Sequence, residues 1–347
     1  MIETMGGQVS GQASTLEARP PWGATNPVWG AVQMAGLLAT VGLLVGLVWR
    51  PEPSLNLLWN VIIPLVPASL LISPMLWRNS CPLATLNNLS NGRIGRRSQS
   101  KRFAVGAGAL GIVLLFVLVP ARRFLFNADG TALAVTIAAV AILALVAGSL
   151  FIMRAGFCNA ICPVQPVERL YGQSPLLEIS NQRCPTCVGC SVGCIDQGPR
   201  TATEVLLNAK WNSAAWLSTP YGAFTALFPG FVLGYFTTVN GPLSTAGQVY
   251  GHVALWALIG AVPVVLLVLV FRVSASIILP TVAGVAAGFY YWFAAPAMAT
   301  AVGIGALGGV GLKAVTLILV AVWLSRAWKA AVKNRGLPAQ SRSLPVR

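Results

Sequence analysis

The chain has 347 residues, 56% of them apolar and only 9% charged, and its 23 Lys and Arg against 8 Asp and Glu give a net charge of +15. So small a charged fraction excludes an ordinary water-soluble domain, in which about a quarter of residues are charged. A basic balance also suits a nucleic-acid binder, but here Lys and Arg sit at the ends of long apolar runs, which is the signature of membrane topology and excludes nucleic acid as a partner.

Residues 1–26 are polar and Gly-rich, with Glu3, Glu17 and no basic stretch leading into an apolar core. The segment predicts a disordered tail and no cleavable signal peptide. Eight apolar segments follow, at about 28–49, 57–76, 103–119, 131–153, 223–239, 249–271, 274–292 and 301–324. They are read as helices crossing a hydrocarbon core of about 30 Å. The second carries Pro64, Pro67 and Pro74. It reads either as a kinked helix that re-aims its inner end towards a site or as a plain packing irregularity. The Gly- and Ala-rich stretch 294–311 fits a turn, a re-entrant piece or a helix start.

With the amino terminus in the cytoplasm, Arg19, the group from Arg78 to Arg102, the group from Arg154 to Lys210, Arg272 and the tail from Arg326 to Arg347 all fall inside. Arg50, Arg122, Arg123 and Lys313 remain outside, so this orientation satisfies the positive-inside rule and the inverse violates it. The expectation is an all-α polytopic protein of the bacterial inner (cytoplasmic) membrane, both termini cytoplasmic. Its parts are a tail at 1–26, helices one to four at 27–153, a small ferredoxin-like cytoplasmic segment at 154–212, helices five to eight at 213–325 and a basic tail at 326–347. All seven cysteines then lie on the reducing side, where ligand roles are favoured over disulfides.

Cys184, Cys187, Cys190 and Cys194, in RCPTCVGCSVGC, have the C-x2-C-x2-C-x3-C spacing that bacterial ferredoxins use for an iron–sulfur cluster. Ligands three, three and four residues apart wrap one compact cluster, and Gly189 and Gly193 free the backbone to point N–H groups at the sulfurs. A structural zinc site is the alternative, although its ligands usually come as two C-x2-C pairs further apart. The remaining cysteines form a second constellation. Cys158 and Cys162 lie in FCNAICP, a C-x3-C-P motif, and Cys81 lies in NSCPL, so that Cys81-Pro82 and Cys162-Pro163 suggest a degenerate internal repeat. They are read as ligands of a second cluster with one non-cysteine ligand, as a redox-active thiol group, or as cysteines without a function. Because the fourth cysteine of a ferredoxin run ligates the other cluster in two-cluster proteins, Cys194 is a candidate loan to this second site, with Cys81 or Cys162 returned in exchange.

Through LWRNSCPL, MRAGFCNAICPVQPVERLYG and RCPTCVGCSVGCID, over about residues 57–200, the chain resembles the membrane-bound polyferredoxin-like proteins of the NapH, NosR membrane-part and FixG/CcoG type. The resemblance implies a [4Fe-4S] cluster held by Cys184, Cys187, Cys190 and Cys194, with Cys158, Cys162 and Cys81 as further metal ligands. Members commonly carry two ferredoxin runs and two complete C-x3-C-P pairs, whereas this chain has one run and one and a half pairs, and Ile195 stands where a Pro usually follows the fourth cysteine.

Four other features invite a reading. His252, the sole histidine, lacks the second axial ligand that haem b needs and reads as a packing or interfacial residue. Asp129 and Lys313 are ionisable groups near outer segment ends that reach the interface by snorkelling. Tyr290, Tyr291, Trp292 and Phe293 suit an interfacial belt or the lining of a quinone pocket. Arg78, Arg154 and Arg183 flank the cysteine motifs and read as topology determinants, as counter-charges to a cluster, or as both. The functional expectation is one-electron transfer between a quinone pool or cytoplasmic donor and a partner redox protein or respiratory complex, as carrier or as oxidoreductase subunit. The alternative is a maturation factor that reduces copper or thiols for a respiratory enzyme.

Overall fold

The computed structural model describes residues 27–91, 93–95, 97, 100–151, 154–179, 203, 207 and 214–333. The amino-terminal tail, Arg183, the whole run from Cys184 to Cys194 and most of the basic tail lie outside these residues. Among the described residues the chain is helical, with an isolated bridge between Arg97 and Phe151 as its β-type pairing.

Helix α1 (Pro27–Trp49) turns at Arg50 into α2 (Pro51–Leu57), which runs through a π-helical turn at Leu58–Ile62 into α3 (Ile63–Ile72). The π turn lies just before Pro64, whose ring has no N–H for the helical ladder. At Ser73 the backbone becomes extended, with φ −164° and ψ 126°, because the following Pro74 disfavours a helical conformation there. The short helices α4 (Pro74–Ser80) and α5 (Pro82–Leu89) follow, then α6 (Lys101–Ala121), a second π turn at Arg122–Phe126 and α7 (Gly130–Leu150). After a third π turn at Phe157–Ile161 come α8 (Gln165–Tyr171), α9 (Pro220–Thr237), α10 (Ala246–Leu269), α11 (Ala275–Ala301) and α12 (Gly305–Lys333). The Gly- and Ala-rich stretch resolves into helix on both sides of a short turn, which Gly303 (φ 75°) and Gly305 (φ 67°) permit by adopting left-handed conformations.

Seven helical stretches among the described residues are long and apolar enough to cross a membrane: α1, α2 through α3, α6, α7, α10, α11 and α12. The remaining long helix, α9, has 18 residues and is the most enclosed. Its Phe224, Phe228 and Phe231 lie in the main core, with α10 and α11 against it and Phe116 of α6 4.5 Å from the Phe231 ring. Inside a bilayer, helices gain little from leaving lipid, so close backbone approach must hold them together. Gly230 and Gly234 provide it in a GxxxG spacing: a Cβ at Gly260 of α10 would stand 2.6 Å from the Gly230 Cα, and one at Gly234 would stand 2.7 Å from the Trp256 side chain. Gly230→Val is therefore expected to cost about 1–3 kcal/mol through overpacking. The measurement is the thermal unfolding midpoint in detergent, with Gly247→Ala, where nothing lies within 4 Å, as the neutral control.

One end of the bundle gathers Arg122, Arg123, Tyr235 and Asn240. Arg123 donates to the Tyr235 carbonyl (2.9 and 3.1 Å) and to Asn240 Oδ1 (3.0 Å), while Arg122 donates to the Tyr235 hydroxyl and lies over the Trp59 ring. Asp129 caps α7 by accepting from the Ala132 N–H. Lys313 lies 4.2 Å from the Trp292 ring centre. His252 shares a 3.0 Å hydrogen bond with Thr237 and meets Trp256 edge-on, which is a packing role. The four-residue aromatic belt does not hold together as a unit. Trp292 faces outward, but Tyr291 is fully buried and donates to the Pro64 carbonyl, because at successive helical positions the side chains point in different directions. Phe236 stacks on Phe293 and meets Tyr290 edge-on.

Candidate thiol site

At the opposite end, the bend at Ser73 carries α4 under the loop that follows α7. Two Cys-Pro steps meet there, and proline sets the geometry of both. The residue before a proline is pushed out of the helical region. Cys81 takes φ −61°, ψ 122° and Cys162 takes φ −57°, ψ 123°. Each ends one helical turn and begins the next: the Cys81 N–H bonds the Trp77 carbonyl while the Thr85 N–H bonds Cys81, and the Cys162 N–H bonds Phe157 while the Gln165 N–H bonds Cys162. The repeat read from two dipeptides is thus a repeat of backbone conformation.

The turn also brings backbone amides near sulfur: those of Ala84 and Leu83 at the start of α5 oppose the upward shift that burial gives the Cys81 thiol, and that of Val164 does the same at Cys162. Pro82 and the diverted Leu83 amide leave the carbonyls of Arg78 and Asn79 without their usual helical donors. Side chains replace them: Arg154 donates to the Arg78 carbonyl (2.8 Å), and Gln33 of α1 donates to the Asn79 carbonyl (3.2 Å).

Arg78 ties the whole site together. Its Nε donates to Glu168 Oε1 at 2.5 Å, and its NH2 group donates to Glu168 Oε2 at 3.1 Å and to Asn159 Oδ1 at 2.8 Å. Arg78, Arg154, Asn159 and Glu168 are each buried. One guanidinium therefore fixes α4, three residues before Cys81, to the residue after Cys158 and to α8 beyond Cys162. Arg78 and Arg154, read from sequence as topology determinants, as counter-charges or as both, are buried and hydrogen-bonded inside this end of the bundle. Glu168 and Asn159 were not singled out in the sequence, although Glu168 is one of only 8 acids in the chain and sits beside an arginine in a C-x3-C-P segment.

Cys81 is buried, whereas Cys158 and Cys162 are half-buried and lie against Ala144, Ala147 and Phe157. Burial pushes the Cys158 thiol up to about 12, with Arg154 opposing and Cys81 adding to the shift. Burial likewise raises Cys81 and raises Cys162 further, the latter reinforced by Cys158 and Cys81. The three thiols thus feel one another, and at neutral pH without a bound ligand they hold their protons. A rise from 9 to about 12 cuts the thiolate fraction of Cys158 roughly a thousandfold at pH 8. The greater intrinsic reactivity of a more basic thiolate returns a factor of about 20 to 30. Net alkylation of Cys158 by iodoacetamide should therefore run roughly 30- to 50-fold slower in the folded, metal-free protein than in urea, measured by mass spectrometry of the peptide.

An iron–sulfur cluster or a soft metal needs thiolates and donors that stabilise them. The amide groups at Cys81 and Cys162 and the cations of Arg78 and Arg154 fit that need. Among the described residues, however, no group of three or more His, Cys, Asp or Glu is arranged to hold a metal ion, so the three cysteines do not form a closed ligand set by themselves. The four cysteines of the ferredoxin-type run lie outside the described residues. Comparison with protein-family models, curated proteins and solved structures finds no match to this chain.

Proposed function

We propose that the protein is an iron–sulfur electron carrier of the bacterial inner membrane, with eight crossings that include α9 and with the cysteine end in the cytoplasm. The observation that carries this reading is the C-x2-C-x2-C-x3-C run of Cys184, Cys187, Cys190 and Cys194, in keeping with the resemblance to the polyferredoxin-like membrane proteins. The three remaining cysteines, gathered at one end of the bundle, support it. A [4Fe-4S] cluster supplies one-electron chemistry when bound, and the chain's work is then to position, bury and charge-balance it. Arg78 fixes the relative places of Cys81, Cys158 and Cys162, the amides of Leu83, Ala84 and Val164 favour thiolate over thiol, and Arg154 brings a cation beside Cys158. Ligand uptake there releases protons, because the raised thiols must lose them first. With Cys194 kept by the run, seven thiolates are one short of two complete cysteine sets, so in this reading one non-cysteine ligand completes the second site. The donor is a quinone pool or a cytoplasmic reductant, and the acceptor is a partner redox protein or respiratory complex.

A second reading, a maturation factor that reduces or delivers copper, draws on the incomplete ligand set of three thiols, which suits a transient soft metal better than a resident cluster. Anaerobically purified protein is expected to show a broad absorbance towards the blue end that dithionite bleaches and that a quinol reduces in the first reading. Colourless protein carrying stoichiometric zinc overturns both the cluster and the carrier role.

A further inference from the structure

We propose that Arg122 and Arg123, at the end of the bundle away from the cysteines, form a site for a phosphate group. Both side chains are half-buried, and both are held on one buried tyrosine. Arg122 donates to the Tyr235 hydroxyl at 2.8 Å, while Arg123 lies 4.4 Å from the centre of the Tyr235 ring and donates to its carbonyl. Two like charges are thus kept together, and neither has a carboxylate partner among the described residues. Asp129, the nearest acid in sequence, is engaged in capping α7 at Ala132. The Nε of Arg122 is buried and meets no acceptor.

Neighbouring cations repel more strongly in a medium less polar than water, and the fold sets only neutral groups against that repulsion. They are the Trp59 ring, 4.7 Å from the Arg122 guanidinium, the ring and carbonyl of Tyr235, and Asn240 Oδ1. These contacts fix both guanidiniums before any ligand arrives, which lowers the ordering cost of binding. Topology gives no reason for the pair: in the orientation proposed above it lies outside, where the positive-inside rule disfavours arginine. An anion completes the site. Tetrahedral phosphate presents oxygens in several directions, so each guanidinium meets its own, whereas a planar carboxylate is matched by a single fork. The π turn Arg122–Phe126 starts at these residues, and such turns are frequent at functional sites. The Arg123 carbonyl accepts from Gly241 N–H in the loop after α9, and Asn240 is exposed, so the site opens where the chain leaves the hydrocarbon for the headgroup layer. Phosphate reaches that layer on an anionic phospholipid or as the free ion. The site goes beyond the electron-transfer reading, and only its sidedness rests on the proposed orientation.

The test uses the full chain in detergent and follows the unfolding midpoint by tryptophan fluorescence in two titrations. One compares phosphatidylglycerol with phosphatidylcholine, and the other compares inorganic phosphate with chloride at equal ionic strength. The wild type is expected to gain stability in at least one of them, from phosphatidylglycerol when the source is lipid and from inorganic phosphate when it is the free ion. A net charge of +15 attracts any anion, so Arg50→Gln, which removes one exposed positive charge from outside the site, is the control and should respond as the wild type does. Arg122→Gln should need roughly tenfold more ligand for the same shift, the loss expected for one charge-assisted hydrogen bond. Asn240→Asp is the sharper variant, because it is isosteric and exposed and places a carboxylate against Arg123, where the amide oxygen stands at 3.0 Å. It should weaken the response by a similar factor while unfolding no earlier without ligand, which covers the case in which Arg122→Gln fails to fold. Equal responses in the wild type and Asn240→Asp overturn the proposal, as does a loss in Arg50→Gln as large as that in Asn240→Asp. So does a wild type that responds to neither phosphatidylglycerol nor inorganic phosphate. The dithionite-bleached spectrum is read separately, so failure here leaves the carrier reading untouched.

Discussion

Replacing Arg78 by alanine should cost the fold about 3–5 kcal/mol, the usual penalty for stranding one member of a buried ion pair. The carboxylate left behind, Glu168, is buried and receives two of its hydrogen bonds from Arg78. Asn159 loses a partner in the same step. Glu168→Ala is expected to cost a similar amount, since it leaves a guanidinium in the same interior. Arg78→Met combined with Glu168→Leu removes both charges and keeps apolar volume, so the double variant should recover much of the loss. The measurement is a double-mutant cycle on the unfolding midpoint in detergent, paired with the iodoacetamide rate at Cys158. Midpoint and rate unchanged in Arg78→Ala show that the ion pair does not hold the thiol site together.

The parts of this architecture that were legible in the sequence are those dictated by strong local rules. Apolar runs of twenty or so residues announce membrane helices, and the structure places helices at all eight segments, seven of them meeting the length and hydropathy of a crossing. Cys-Pro reads as an extended step because the proline ring clashes with a helical predecessor, and both such steps take that form. Within the second segment, the backbone does leave the helical conformation at Ser73, through the same proline rule.

Less legible were features that depend on who the neighbours are. Arginine beside a membrane helix has a topological explanation ready to hand, so nothing in the sequence separated Arg78, buried at 3% exposure, from an arginine in water. Only the fold brings Glu168 to it across 90 positions. The GxxxG at Gly230 and Gly234 was present to be read, but phenylalanines and a proline around it made the segment look like an ordinary crossing rather than the enclosed centre of the bundle. Tyr291 was grouped with its three aromatic neighbours as a belt or a quinone-pocket lining, whereas the angle between successive helical positions sends it inward to Pro64. The ferredoxin-type run is the converse case: its spacing is the clearest signal in the chain, and it lies outside the described residues.

That run and the three-thiol site can be separated by paired serine variants, and the larger effect is expected at the run. Cys187→Ser removes a ligand from the middle of the four and should abolish most of the dithionite-bleached absorbance, because a cluster held by three close thiolates and a poor oxygen donor is readily lost. Cys158→Ser should leave that absorbance largely in place and lower iron per protein measurably, as Cys158 belongs to the other site. The grounds for the second expectation are geometric: Cys162 and Cys81 share one backbone conformation, each followed by proline, as proline follows the last ligand of a ferredoxin run. The copper reading predicts the opposite partition, with iron unchanged in Cys158→Ser and copper binding or reduction diminished. Iron by mass spectrometry and cuprous ion by chelator absorbance, measured on the same anaerobic preparation, decide between them. If Cys81→Ser, Cys158→Ser and Cys162→Ser all leave iron, copper handling and electron transfer intact, the buried thiols serve the packing of this end of the bundle and the run alone carries the chemistry.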